Sequence, residues 1–139
     1  CHSFFLRHTQ SGNCIAEGSP IVEDEYARRY WAEMDDNCVH YRARFRYLDT
    51  NLLHNFKTGG SLVSNYGNST FLNRLYIYDS KNQKGKEFEN NNEHRFKQTD
   101  AGSLFLYNST VNSCAQPNDT YVDQKKDGCK NTAEQKFTF

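Results

Sequence analysis

The chain has 139 residues, and its seventeen basic and seventeen acidic side chains cancel to a formal charge of zero. Apolar residues make up 36% and aromatic ones 14%, with ten Phe, nine Tyr and one Trp, which suits one core and not two. The neutral balance argues against nucleic acid as a partner, and no apolar run approaches the ~20 residues of a membrane-inserting span.

In chain order, residues 3–16 read as an apolar strand, a Ser11-Gly12-Asn13 turn and a second short strand. Residues 19–34 read differently. Ser19-Pro20 followed by Val22, Tyr26, Tyr30 and Met34 at steps of four predicts an N-capped amphipathic helix. Over Tyr41–Tyr47 every second residue is apolar or aromatic and the three between are Arg42, Arg44 and Arg46, the period of a half-buried strand with one solvated face. Residues 52–63 again read strand, Gly59-Gly60 turn, strand. Leu75 and Ile77 alternate with Arg74, Tyr76 and Tyr78. Leu104 and Leu106 alternate with Phe105 and Tyr107, and residues 104–115 carry the strand-turn-strand pattern a third time.

Aligned on these segments, Cys14, Ser61 and Cys114 share one position. Each segment later reaches a polar-basic-Phe triplet or a near variant: Ala43-Arg44-Phe45, His94-Arg95-Phe96 and Gln135-Lys136-Phe137. The recurrence predicts three units, residues 3–48, 51–100 and 102–139, within a single domain. No unit can bury its own apolar face. Three packed around an axis give each recurring Phe two neighbours and limit open strand edges. The expected fold is therefore all-β, a closed pseudo-threefold barrel with a short helical insertion in the first unit. A lipocalin-like up-and-down barrel is the rival, and the threefold recurrence counts against it.

Five cysteines form no CxxC or CxxxC pair, which favours disulfides over zinc. Cys14 and Cys38 fall in the first unit, Cys114 and Cys129 in the third, while the second has Ser61 at the first position and no cysteine at the other. Loss of both members together predicts Cys14–Cys38 and Cys114–Cys129 bonds, each contributing about 3 kcal/mol by restricting the unfolded chain. Cys1 is left over. The cysteines predict a secreted or extracellular protein, and a start at Cys1 and not at Met suits either a processed secreted chain or a trimmed one. Glycosylation sequons occur at Asn68, Asn108 and Asn118. About two would arise by chance in a chain this rich in Asn, Ser and Thr, so they add little.

These features resemble the ricin-B-type (R-type) β-trefoil lectins, whose units carry a disulfide between the second and third strands and end in Gln-x-Trp or Gln-x-Phe. Gln135-Lys136-Phe137 matches that ending literally, and the other two triplets match only at the aromatic. The resemblance covers nearly the whole chain and implies a β-trefoil with three pseudo-repeats. It departs from the family at the galactose-type site. Ala16, Val63 and Gln116 stand where the family has an Asp, and Glu93 and Glu134 where Asn would be expected, which implies a site absent or rebuilt.

A sugar site takes a flat aromatic for the ring's CH face and two or three polar groups for its hydroxyls. Unit three offers Gln116, Asn118, Asp119, Tyr121 and Asp123. Unit one offers Trp31 and Asp36 beside Glu17, Tyr30, Asp35 and Asn37, and unit two offers Asn65, Tyr66 and Tyr78. The plainer reading of each is a turn residue beside a partly buried aromatic, and of Trp31 a core side chain. A glycan on Asn118 would block the unit-three pocket. Arg42, Arg44 and Arg46, with Arg28, Arg29, Lys84 and Lys86, suit sulfate or a carboxylate-rich glycan. Zero net charge favours the plainer reading, a solvated face neutralised by Glu23-Asp24-Glu25.

Catalytic signatures (GxSxG, HExxH, P-loop) do not occur. Histidines 2, 8, 40, 54 and 94 lack ligand spacing, and Asp35-Asp36-Asn37 lacks the ordered run of a calcium loop. No enzyme activity, metal or other cofactor is expected. The expected function is a secreted lectin module that binds carbohydrate on cell-surface or extracellular glycoproteins. One alternative is a protein-recognition β-trefoil, like the fibroblast-growth-factor-like or Kunitz-type inhibitor users of the fold, which would meet a receptor or a protease. Another is a fragment of a receptor ectodomain.

Overall fold

The computed structural model describes residues 3–49, 52–64, 74–83, 94–98, 106–108, 113–125, 129, 130 and 132–139. Cys1, Asn65, Tyr66, Asn68, Lys84, Lys86, Glu93, Leu104 and Phe105 lie outside them. Among the described residues the chain is all-β, with thirteen strands in one nearly closed, barrel-like sheet. In order they are β1 (Phe4–Phe5), β2 (Arg7–His8), β3 (Cys14–Glu23), β4 (Ala27–Asp35), β5 (Arg44–Asp49), β6 (Leu52–Asn55), β7 (Ser61–Val63), β8 (Tyr76–Ser80), β9 (Phe96–Gln98), β10 (Leu106–Asn108), β11 (Ser113–Asn118), β12 (Tyr121–Lys125) and β13 (Phe137–Thr138). No helix among the described residues is long and apolar enough to cross a membrane.

The helix expected over residues 19–34 is instead the long antiparallel hairpin β3–β4. A step of four residues is one helical turn but also two strand periods, so Tyr30 and Met34 face the core in either conformation. Ala32, fully buried between them, fits only the strand. Val22 and Tyr26 face solvent, and Asp24 closes the hairpin, its Oδ1 accepting the N–H groups of Tyr26 and Ala27 at 2.8 and 2.9 Å. Pro20, which has no N–H to give, sits where the register shifts. The strand expected over Tyr41–Tyr47 starts only at Arg44. Tyr41–Ala43 is a 3-10 turn with the Tyr41 ring exposed.

The β2–β3 and β6–β7 hairpins are closed by turns of one design. Gly12 donates to the His8 carbonyl at 2.8 Å and His8 to that of Asn13 at 2.7 Å; Gly59 and Asn55 repeat both bonds with Asn55 and Gly60 at 2.9 and 2.8 Å. Both Gly12 and Gly59 are left-handed, with φ of 78° and 80°, which explains the glycines. Beyond each turn the chain bonds back to a Phe triplet: Thr9 N–H reaches the Lys136 carbonyl at 3.0 Å, and Phe56 N–H that of Arg44 at 2.9 Å.

The core collects the same positions from each segment. Phe45, Phe96 and Phe137 are its largest fully buried side chains. Packed with them are Leu6 and Leu53, then Ile15, Leu62 and Ala115, then Ala32, Leu75 and Val122. The last three also bond through the backbone, Ala32 N–H to the Leu75 carbonyl at 3.2 Å and Leu75 N–H to that of Val122 at 2.8 Å. These bonds bring β4, β8 and β12 together, with β4 between the other two in the strand order. Elsewhere β13 pairs with β2, and β5 pairs with both β1 and β6.

The disulfides are Cys14–Cys38 and Cys114–Cys129, as the joint loss of both positions in the second unit predicts, with Cα atoms 5.5 and 5.0 Å apart. At the matching place in the second segment the buried Ser61 hydroxyl lies 2.9 Å from His54 Nε2, while His54 Nδ1 donates to the Gly59 carbonyl at 2.9 Å. Since Nδ1 carries the proton, Nε2 accepts from Ser61.

A Cβ at Gly60 would lie 2.7 Å from Ile77 Cγ2 and 2.9 Å from the Tyr78 carbonyl oxygen. Gly60→Ala should therefore lower the unfolding free energy by about 1–3 kcal/mol in urea titrations, through overpacking. A midpoint equal to the parent's would refute that close approach. Burial pushes the His94 imidazole down from its ordinary 6.5 to about 4. The unfolded chain then binds that proton first, so the contribution is intact above about pH 6.5 and declines as pH falls toward 4, by up to about 3 kcal/mol. His94→Gln, the residue found at matching position 135, should flatten that slope; an unchanged slope would assign it to another group.

Candidate functional site

Strand alternation decides which side chains reach the outer surface where β4, β8 and β12 meet. Tyr30, Ala32 and Met34 pack inward, leaving Arg29, Trp31 and Glu33 outward; Leu75 and Ile77 pack inward, leaving Arg74, Tyr76 and Tyr78 outward. On β12, Val122 and Gln124 are buried, and Tyr121 and Asp123 are half-exposed. Register brings these outward groups side by side. Trp31 lies opposite Tyr76, Arg29 opposite Tyr78, Tyr121 opposite Glu33, and Arg74 opposite Asp123.

Trp31 and Tyr121 meet edge to face, with ring centroids 5.7 Å apart and an interplanar angle of 66°. The Arg74 guanidinium lies over both, 3.9 Å from the Tyr121 centroid and 5.3 Å from that of Trp31. Cation–π attraction of about 0.5–2 kcal/mol per contact fixes the three as one unit. Beside it runs the β11–β12 hairpin, whose two-residue loop Asp119-Thr120 is flanked by the Asn118–Tyr121 pair. Asp119 is left-handed, with φ of 55°. Asn118 Nδ2 donates to Asp123 Oδ2 at 2.9 Å. Gln116, opposite Asp123, donates to Glu134 Oε2 and accepts from Gln135 Nε2, both at 3.4 Å, while Gln135 Oε1 takes the Lys130 N–H at 2.9 Å.

Trp31, Gln116, Asn118, Tyr121 and Asp123 thus share one surface. Trp31 is half-buried in it, not part of the core. The other candidates are elsewhere. Asp36 is exposed beyond the far end of β4, near the Cys14–Cys38 bond. Tyr78 lies further along the β8 face, its ring under the Arg29 guanidinium at 5.0 Å. Asp119 serves the turn. Asn118 is exposed at the hairpin tip, and Asn108 falls in β10.

Ala16 and Val63 are fully buried and cannot meet a ligand. Glu17 is buried too, and its Oε1 accepts from Thr58 Oγ1 at 2.6 Å. Asp35 bonds Arg42 Nε at 2.8 Å. Burial works to raise the Asp35 carboxyl, but Arg42 and the Asn37 N–H hold it below its usual value.

The arginines expected as one solvated face are in separate settings. Arg42 pairs with Asp35, Arg44 lies over Phe5 at 5.3 Å, and Arg46 over Phe56 at 5.8 Å. The acidic run neutralises two of the cations expected of it, Arg28 through Glu23 and Arg29 through Asp24, and Glu23 also meets Lys81. Its pairing follows from the hairpin that replaces the expected helix. Along that hairpin Pro20, Val22, Arg28 and Tyr30 line a recess of about 90 Å³. Small-molecule pockets measure roughly 300 Å³ or more. Among the described residues no three His, Cys, Asp or Glu side chains are grouped to hold a metal ion.

Arg74 is the group that sequence reasoning missed. Its signal was positional: Trp31, Arg74 and Tyr121 each immediately precede a buried core residue, Ala32, Leu75 or Val122. A turn role for Asp119 makes a direct prediction. Asp119→Gly should leave stability within about 0.5 kcal/mol of the parent, and Asp119→Val should cost about 1–2 kcal/mol through left-handed strain. Equal stability of the two variants would refute the turn assignment.

Compared with models of known families and with curated proteins, the chain matches neither a family model nor a curated sequence.

Proposed function

We propose that this chain is a β-trefoil lectin module that binds glycans on the outer face shared by β4 and β12. The trefoil reading is supported by recurrence at three levels: the turn bonds at Gly12 and Gly59, the buried Phe45, Phe96 and Phe137, and the meeting of β4, β8 and β12 at Ala32, Leu75 and Val122. Two intra-chain disulfides support an oxidising, extracellular setting.

The observation that carries the sugar reading is the Trp31–Tyr121 pair standing beside the bonded Asn118 and Asp123 side chains. Aromatic rings take the apolar CH face of a pyranose, and an amide with a carboxylate supplies donors and acceptors for its hydroxyls. The site is shallow and built from three strands, so its ligand is a terminal sugar and not an engulfed small molecule. A second reading, a protein-recognition trefoil, draws on the solvent-facing Val22 and Tyr26 at the β3–β4 tip, which are 44% and 61% exposed.

A glycan array tests the choice. The parent should give saturable binding that falls about tenfold or more in Tyr121→Ala and is retained in Asp36→Ala, since Asp36 lies off the shared surface. An empty array, with one protein captured tightly from serum, would overturn the lectin reading in favour of protein recognition.

A further inference from the structure

We infer that Arg74 makes this surface selective for acidic sugars, those carrying a carboxylate or sulfate on the ring; the inference rests on the glycan reading above. Arg74 stands opposite Asp123 in the backbone register, yet its guanidinium lies over Tyr121 and Trp31. Arg28, Arg29, Arg42 and Lys81 pair with carboxylates, whereas among the described residues no carboxylate comes within ion-pair distance of Arg74. A guanidinium held over aromatic rings by cation–π attraction still carries N–H donors that no carboxylate takes, and those match the two oxygens of a carboxylate or sulfate.

The two nearby carboxylates are already engaged, Asp123 by the Asn118 amide and Glu33 by the Ser19 N–H at 2.9 Å. They also set the ligand class. Asp123 and Glu33 oppose a bare anion, so an acidic group is held only when the ring attached to it contacts Tyr121 and Trp31. The shared requirement is a pyranose with an anionic substituent.

Trp31 is the sole tryptophan, so its indole N–H is a single reporter inside the site. Glucuronate, glucose 6-sulfate, glucose and inorganic sulfate should be titrated into the folded, disulfide-intact chain while that resonance is followed. Both acidic sugars should bind about tenfold more tightly than glucose, and sulfate alone should leave the resonance in place. In Arg74→Gln the ratio of glucuronate to glucose affinity should fall to about one. Arg74→Lys should restore part of it, because the charge remains and the bidentate fork is lost. Glucose binding as tightly as glucuronate would overturn the inference and leave the glycan reading standing. Sulfate binding as tightly as the sulfated sugar would overturn it by showing a plain anion site. A resonance unmoved by every sugar would sink both.

Discussion

The structure depends on a shortage. With 36% apolar residues spread over short strands, no hairpin carries enough hydrophobic surface to stand alone, and burial comes only where hairpins from distant parts of the chain meet. The meeting point is held twice, by side chains in the Ala32, Leu75 and Val122 layer and by the backbone bonds between those residues. Strands crowded together on their inner face have closely spaced outer faces as well. The outward neighbours of those buried residues are Trp31, Arg74 and Tyr121, and inner packing therefore assembles the outer cluster. Core and surface are two faces of one arrangement.

Electrostatics follow the same geometry. The zero net charge is not a uniform mixture of signs. Opposite charges are matched locally, along the β3–β4 hairpin by Glu23 and Asp24, and near the first disulfide by Asp35 and Arg42. Arg44 and Arg46 rest on phenylalanines. Surface pairs of this kind add little stability, but they commit the side chains involved and so narrow which cations remain for recognition.

Much of this was legible in the residues. The cysteine pairing followed from the joint loss of both partners in one segment, and the turns from Gly12 and Gly59. The deep burial of Phe45, Phe96 and Phe137 followed from their recurrence. The β3–β4 hairpin was misread because Tyr30 and Met34 satisfy both periods, and only Ala32, small and easily overlooked, separates them. The Arg74 cluster was illegible for another reason. Its members are 43 and 47 residues apart, and their contact exists only once three separate strands are placed side by side. Glu17 looked like a polar loop residue because sequence carries no sign that Thr58, far along the chain, would cover it.

Phe137 and Thr138 pair with His8 and Arg7, and the Phe139 ring stacks on Phe4 at 4.9 Å. The two ends of the described chain are thus neighbours in space within the nearly closed sheet. Which peptide link is left open is then incidental to closure. A circular permutant, with a short splice joining these ends and a new break in the connection from β5 to β6, would wind the strands in the same cyclic order and present the same outer face.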